Sequence, residues 1–270
     1  MVLSTIAAAT ASVGGCVGAN PKTSPGAIVF MHGKMSSPNY APFAFATGSL
    51  VSAGYAVATP EMPWSRQRYL SGSLPSAFDQ IGREVESFRK QGFSKVLLGG
   101  HSIGAGIAVG YAATRGSVDG LVLLAPGHSP QDFTGTTQLS LDTARQMVSA
   151  GKGTERATFA DLNVGVRLNP TLSASDYLTW FDPAGDAEMR NTATRIPATI
   201  PVFVAIGASD AAALQRLGDT VFSLLPVSPN NRLVRVEGNH EAVHQSASKA
   251  AVQWLVETFP APSSVKPVVG

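Results

Sequence analysis

The chain carries a single cysteine, Cys16, in 270 residues. One thiol excludes an internal disulfide and any zinc cage built from cysteine pairs. Charge is scarce too: only 14% of residues are Asp, Glu, Lys or Arg, and the formal net charge is +2. With no basic run anywhere, neither nucleic acid nor an anionic membrane surface is indicated as a partner. There is no internal repeat, heptad series or low-complexity block, and no unbroken apolar stretch long enough to span a membrane. What the chain has instead is small and apolar, with hydrophobic residues at 44% and 27 glycines. Its length suits one large α/β domain, enough to bury about three-quarters of the unfolded surface.

The first twenty residues carry no charge up to Ala19, and Ala7-Ala8-Ala9 resembles the apolar part of a secretory signal without its basic start. Val13-Gly14-Gly15-Cys16 resembles a lipobox, which would make Cys16 the lipidated start of a mature lipoprotein. Both features point to export (periplasmic, secreted or lipid-anchored), against a cytoplasmic chain with a loose leader. Residues 1–25 are expected to be leader and linker, with the polar, proline-bearing stretch Asn20 to Gly26 leading into the folded domain.

Beyond the linker, short apolar runs alternate with helical patterns. The runs are Ala27 to Met31, Tyr55 to Thr59, Val96 to Leu98, Leu121 to Leu124, Val202 to Ile206 and Leu233 to Val236. Helical spacing is expected over Tyr40 to Ser52, from Pro75 to Gly92, Ile103 to Thr114, from Ala211, and over Glu241 to Phe259. Short, mostly apolar strands alternating with helices predict an α/β fold with a mostly parallel sheet covered on both faces. From His128 to about Ile200 the periodicity is lost apart from one helix near Leu141 to Ala150. A connection of about seventy residues is too long for an ordinary loop, so residues 128–197 are expected to form a cap. The core then comprises residues 26–127 and 198–262.

The chemistry centres on Gly100-His101-Ser102-Ile103-Gly104. This is G-x-S-x-G between a strand and a helix, the setting in which a sharp turn pushes the serine oxygen into a cleft. A serine hydroxyl is a weak nucleophile, so it needs a base, and the base needs an orienting acid. Parallel sheets place their sites beyond the carboxyl ends of the strands. Asp210 and His240 both follow a strand there, in the order acid then histidine. Asp210 competes with a helix N-cap role, and Asp176, Asp182 and Asp186 in the cap are rival acids. Oxyanion donors are expected from the Ile103 N–H at the helix start and from the loop His32-Gly33-Lys34-Met35, with the Lys34 N–H first and Met35 next. The Lys34 side chain is expected to point into water, and His101 to pack under the turn. Met35, Trp64 and Trp180 are the candidate pocket residues, although Trp64, Tyr177, Trp180 and Phe181 suit a cap core equally well.

His240-Glu241-Ala242-Val243-His244 also spells H-E-x-x-H, a zinc-peptidase signature. Such a site needs both histidines on one helix face and a third ligand, for which Glu257 is the one downstream acid. His240 follows Glu237-Gly238-Asn239, a turn, which argues against it.

From His32-Gly33 through the serine pentapeptide to Asp210 and His240, roughly residues 27 to 259 without the cap, the chain resembles the α/β-hydrolase superfamily. It looks most like esterase/lipase-type and proline-aminopeptidase-like members. The resemblance implies a central sheet of about six to eight strands with an inserted cap, and room before Ala27 is short for the family's first hairpin, which favours six. It also implies a Ser102-His240-Asp210 triad cleaving a small-molecule ester or related acyl bond, with no metal or organic cofactor. A zinc peptidase and a non-catalytic binding protein on the same fold are the other readings.

Overall fold

In the computed structural model, which describes residues 19–262, the first apolar run forms strand β1 (Ala27–Met31). Then α1 (Ala41–Ser52), β2 (Ala56–Ala58), α2 (Leu74–Lys90), β3 (Val96–His101), α3 (Ile103–Arg115) and β4 (Leu121–Leu124) alternate as the sequence predicts. Next comes an insertion of α4 (Pro130–Ser149), β5 (Arg156–Thr158), β6 (Asp161–Asn163), β7 (Val166–Leu168), β8 (Thr171–Ser173), α5 (Ala174–Phe181) and α6 (Met189–Ala193). Alternation resumes with β9 (Val202–Gly207), α7 (Ala212–Leu224), β10 (Arg232–Val236), α8 (Val243–Ser246) and α9 (Ser248–Thr258). The export readings of residues 1–18, Cys16 included, lie outside the described residues.

Six strands form one sheet in the order β10-β9-β4-β3-β1-β2, every neighbouring pair parallel. Five of them carry no Asp, Glu, Lys or Arg, as burial on both faces requires, while the edge strand β10, with Arg232 and Arg235, is only partly buried. Side chains alternate between two cores: Val29 and Met31 face one, with Leu98, Leu123 and Val204, while Ile28 and Phe30 face the other, with Leu97, Val122 and Phe203. The first core is closed by α2, α3, α7 and the insertion, the second by α1, α8 and α9. Each fully buried Val, Leu or Phe contributes roughly 1.5–3 kcal/mol. A one-residue slip of any central strand would exchange its two faces, so register is strongly specified.

Two expected helices differ. The helix foreseen near Leu141 starts at Pro130 and runs 20 residues. Its polar first half hides the period, yet its start is marked by Ser129, which caps the Asp132 N–H, followed by Pro130. The single C-terminal helix foreseen from Glu241 is two, with a break at Ala247. Ser248 Oγ bonds back to His244 O at 2.6 Å, a contact that bends helices. No helix among the described residues is long and apolar enough to cross a membrane.

Candidate active site

The turn from β3 into α3 is a single residue, Ser102, at φ +56° and ψ −123°. A side chain there is strained, and neighbouring main chain must hold it. The Ser102 N–H donates to Leu124 O at 3.0 Å, while Ser102 O accepts from the Ala105, Gly106 and Gly127 N–H groups. The helix can sit this close to β1 only because position 104 has no Cβ. A Cβ on Gly104 would lie 2.5 Å from Met31 O and 2.8 Å from His32 O, and one on Gly100 2.5 Å from Met31 O. These are main-chain atoms at the carboxyl end of β1 and just beyond it, and cannot step aside. Gly104→Ala is therefore expected to cost at least about 3 kcal/mol, lowering Tm by on the order of 6–12 °C. A thermal melt with a parental midpoint would show that the elbow tolerates a methyl group.

His240 lies in a turn after β10, and Asp210 follows β9. Both are buried, and His240 Nδ1–H donates to Asp210 Oδ2 at 2.8 Å. Asp210 Oδ1 accepts the Ala211 N–H at 2.7 Å, so this carboxylate is committed to the histidine and its own turn. The N-cap position belongs to Ala211. With Nδ1 as the donor, Nε2 of His240 carries the lone pair; it is buried and has no hydrogen-bond partner among the described residues. Ser102 Oγ lies beside Gly127, where an added methyl would come within 2.9 Å of it. His101 sits beneath, its Nε2–H donating to His240 O at 2.9 Å, with ring centroids 4.6 Å from His240 and 3.9 Å from His244. Burial, then the nearby His244 and His240, hold His101 well below the usual imidazole range, so it stays neutral.

The loop after β1 is clamped by the segment following β2. Trp64 Nε1–H donates to His32 O at 2.7 Å, and Trp64 O accepts the Met35 N–H at 2.9 Å. The Met35 N–H is thus occupied and is no oxyanion donor. The Lys34 and Ile103 N–H groups donate to no acceptor among the described residues.

Ser102, Ile103, Lys34 and His240 all line one cavity of about 340 Å³. Phe133 of α4, Leu162 and Val164 of the β6–β7 hairpin, and Leu214 and Leu217 of α7 make its walls largely apolar. Three sequence-based pocket candidates are corrected here. Met35 is not among the lining residues; Trp64 and Trp180 are fully buried, packed edge to face at 6.1 Å, with the Trp180 indole N–H given to Gly72 O. They are core because each indole finds its acceptor inside the protein. The Lys34 side chain is also corrected: it is 3% exposed, with Nζ 2.7 Å from Asp161 Oδ1. Helix α4 and α5 roof over this loop, placing the Phe133 and Phe181 rings 5.4 and 5.6 Å from the ammonium. Burial pulls the Lys34 pKa below its usual range, with Asp161 opposing.

His128 went unread in the sequence, although it follows β4 at a carboxyl strand end, the positional rule that marks Asp210 and His240. It lines the cavity at φ +69°, with Nε2 bonded to Trp180 O at 2.9 Å and Nδ1 without a partner among the described residues. The walls contributed by α4, the hairpin and α7 left no motif to find.

The zinc signature is not built as a metal site. His240 precedes α8 in a turn and its ring is bonded to Asp210, while His244 Nδ1 faces Glu241 O at 2.9 Å. No group of three His, Cys, Asp or Glu among the described residues could hold a metal ion.

A search of curated protein sequences finds no match. Solved structures do match. A monoacylglycerol lipase from Paleococcus ferrophilus aligns at 21% identity and TM-score 0.63, over 87% of this chain and 96% of that one. Est1E from Butyrivibrio proteoclasticus, with ferulic acid bound, aligns at 16% identity and TM-score 0.62, over 88% and 90%. A soluble variant of monoglyceride lipase from Saccharomyces cerevisiae aligns at 15% identity and TM-score 0.61, over 90% of each chain. The sequence model of the alpha/beta hydrolase family matches residues 28–254, from within β1 to within α9. With that match and the six-stranded parallel sheet, the chain belongs to the alpha/beta hydrolase family.

Proposed function

We propose that the chain is a serine hydrolase that cleaves a carboxylic ester through an acyl-enzyme. The observation that carries this reading is the buried His240–Asp210 pair opening, together with strained Ser102, onto one largely apolar cavity. Ser102 Oγ attacks the ester carbonyl, and His240 Nε2 takes its proton and returns it to the leaving alcohol. Asp210 holds His240 in the tautomer that leaves Nε2 free and stabilises the imidazolium. The Ser102–His240 hydrogen bond is expected to close when substrate binds, as such catalytic contacts commonly do. The Ile103 N–H, at the start of α3, and the Lys34 N–H receive the oxyanion. Water then resolves the acyl-enzyme by the same base, and none of these steps calls on a metal or organic cofactor.

The 340 Å³ cavity suits a small ester with one apolar arm. The lipase and esterase neighbours make the same suggestion, at the level of fold. Residues 128–197 are read as the cap: α4 and the β6–β7 hairpin roof the cavity and set its specificity. Covalent labelling with a fluorophosphonate tests the reading. One equivalent is expected on the peptide that carries Ser102 and none in Ser102→Ala; an unlabelled parent, or equal labelling of the variant, refutes it. A series of nitrophenyl esters of increasing acyl length then reports the depth of the cavity.

A further inference from the structure

The reaction proposed above uses only the main chain of Lys34, yet its side chain is the most heavily constrained cation among the described residues. Nζ donates to Asp161 Oδ1 at 2.7 Å and to Leu162 O at 3.2 Å, and the two side chains are 3% and 0% exposed. The carboxylate is filled from elsewhere as well: Oδ1 accepts the Leu162 N–H at 2.6 Å and Oδ2 the Tyr69 O–H at 3.1 Å. Asp161 opens β6, and the turn of that hairpin, with Val164 at φ +47° and Gly165 at +79°, lines the cavity that holds Ser102. Tyr69 comes from the same segment as Trp64, whose indole and carbonyl hold His32 O and the Met35 N–H on either side of Lys34.

We infer that the buried Lys34–Asp161 pair, completed by Tyr69, is a positioning device that fixes the Lys34 N–H against the cavity wall formed by the β6–β7 turn. The inference rests on reading Ser102 as the nucleophile. Two arguments support it. A buried ion pair is weak as a source of stability, because well-packed apolar residues in its place are often as good or better. Holding a catalytic donor is different: a site must be kept within about 0.5 Å of its productive geometry, and a displacement of about 1 Å can cost about 100-fold. Trp64 clamps the loop on either side of Lys34, and the hairpin is the weaker partner. The loop passes through Met35 in the left-handed region (φ +58°), and the hairpin has strands of only three residues each, marginal without an anchor. The pair ties one to the other, so the donor and the substrate-facing turn share a fixed distance.

The full chain carrying Lys34→Met and Asp161→Leu together tests this, because no charge is left buried and unpaired. Its Tm is expected to fall by on the order of 5 °C, because the Leu162 N–H and Tyr69 O–H lose their acceptor, and the chain stays folded. For nitrophenyl butyrate, kcat is expected to fall at least about tenfold with KM changed less than about threefold, as for an interaction made mainly in the transition state. The pH of half-maximal kcat/KM stays put, since the His240–Asp210 pair is untouched. Tyr69→Phe removes one hydrogen bond from Asp161 without unpairing Lys34, and is expected to lose about three- to tenfold in kcat at parental Tm. Parental kcat in Tyr69→Phe, or in the double variant once folded, overturns the inference while leaving Ser102 as nucleophile. A parent that fluorophosphonate does not label overturns both.

Discussion

Ser102→Ala and His240→Ala are each expected to lower kcat toward a nitrophenyl ester by about six orders of magnitude, and the double variant by no more than either alone. On the proposed mechanism the two groups act as one unit: without the base the hydroxyl keeps its proton, and without the hydroxyl the base has nothing to activate. What survives is the contribution of the Ile103 and Lys34 N–H groups and of binding, about a thousandfold over water. Asp210→Asn is expected to lose less, about four orders, because the amide accepts or donates in the same place but favours the wrong imidazole tautomer. The 2.8 Å bond from His240 Nδ1–H to Asp210 Oδ2 is the contact this replacement inverts. Steady-state rates, corrected by active-site titration for traces of parent, give all four numbers. A Ser102→Ala variant keeping more than about one per cent of parental kcat would exclude the acyl-enzyme route, since that route predicts a far deeper loss. A zinc mechanism through His240, Glu241 and His244 predicts the reverse pattern: survival of Ser102→Ala and loss of activity with a chelator.

The parts that were legible in the sequence are those fixed by local rules. Buried strands read as uncharged runs because both faces of a parallel sheet are covered, and Ser102 stood out because its turn tolerates only small neighbours such as Gly104. Asp210 and His240 could be placed by topology, at strand ends, before any contact was known. The rest depends on contacts distant in sequence. Lys34 looks like a surface lysine until Asp161, 127 residues later, comes to lie 2.7 Å away. Trp64 and Trp180 look like a substrate clamp, because only the fold shows that His32 O and Gly72 O already take their indole N–H groups. The insertion between β4 and β9 gave no period because its strands are three residues long and partly exposed. Helix α4, half polar, is held by its caps and by packing against α5.

Acid is expected to destabilise the chain in a window that opens near pH 6.5, well above the usual carboxylate range. Four of the five histidines, His32, His101, His128 and His244, have pKa values lowered by burial first of all. In His101 the neighbouring His244 and His240 add to it, and in His128 the Lys34 ammonium does. The sign follows from proton counting. Below pH 6.5 the unfolded chain protonates these imidazoles while the folded chain keeps them neutral, so the unfolded state binds more protons and stability falls as pH falls. His101 and His128, the two pushed furthest down, each contribute up to about 1.4 kcal/mol per pH unit in that window, or roughly 2.7 kcal/mol together. Integrated from pH 6.5, where the unfolded rings are half protonated, down to pH 5, the pair contributes at most about 3 kcal/mol, a large part of a total stability of order 5–15 kcal/mol. Tm should therefore drop by on the order of 10 °C over this interval. In His128→Asn, which removes one of the two titrating rings, the slope of unfolding free energy against pH should fall by about half of the pair's share. Urea titrations at half-unit pH steps measure both slopes. Stability that stays flat from pH 7.5 to 5.5 would mean that these rings accept protons inside the folded chain, and that burial does not govern them.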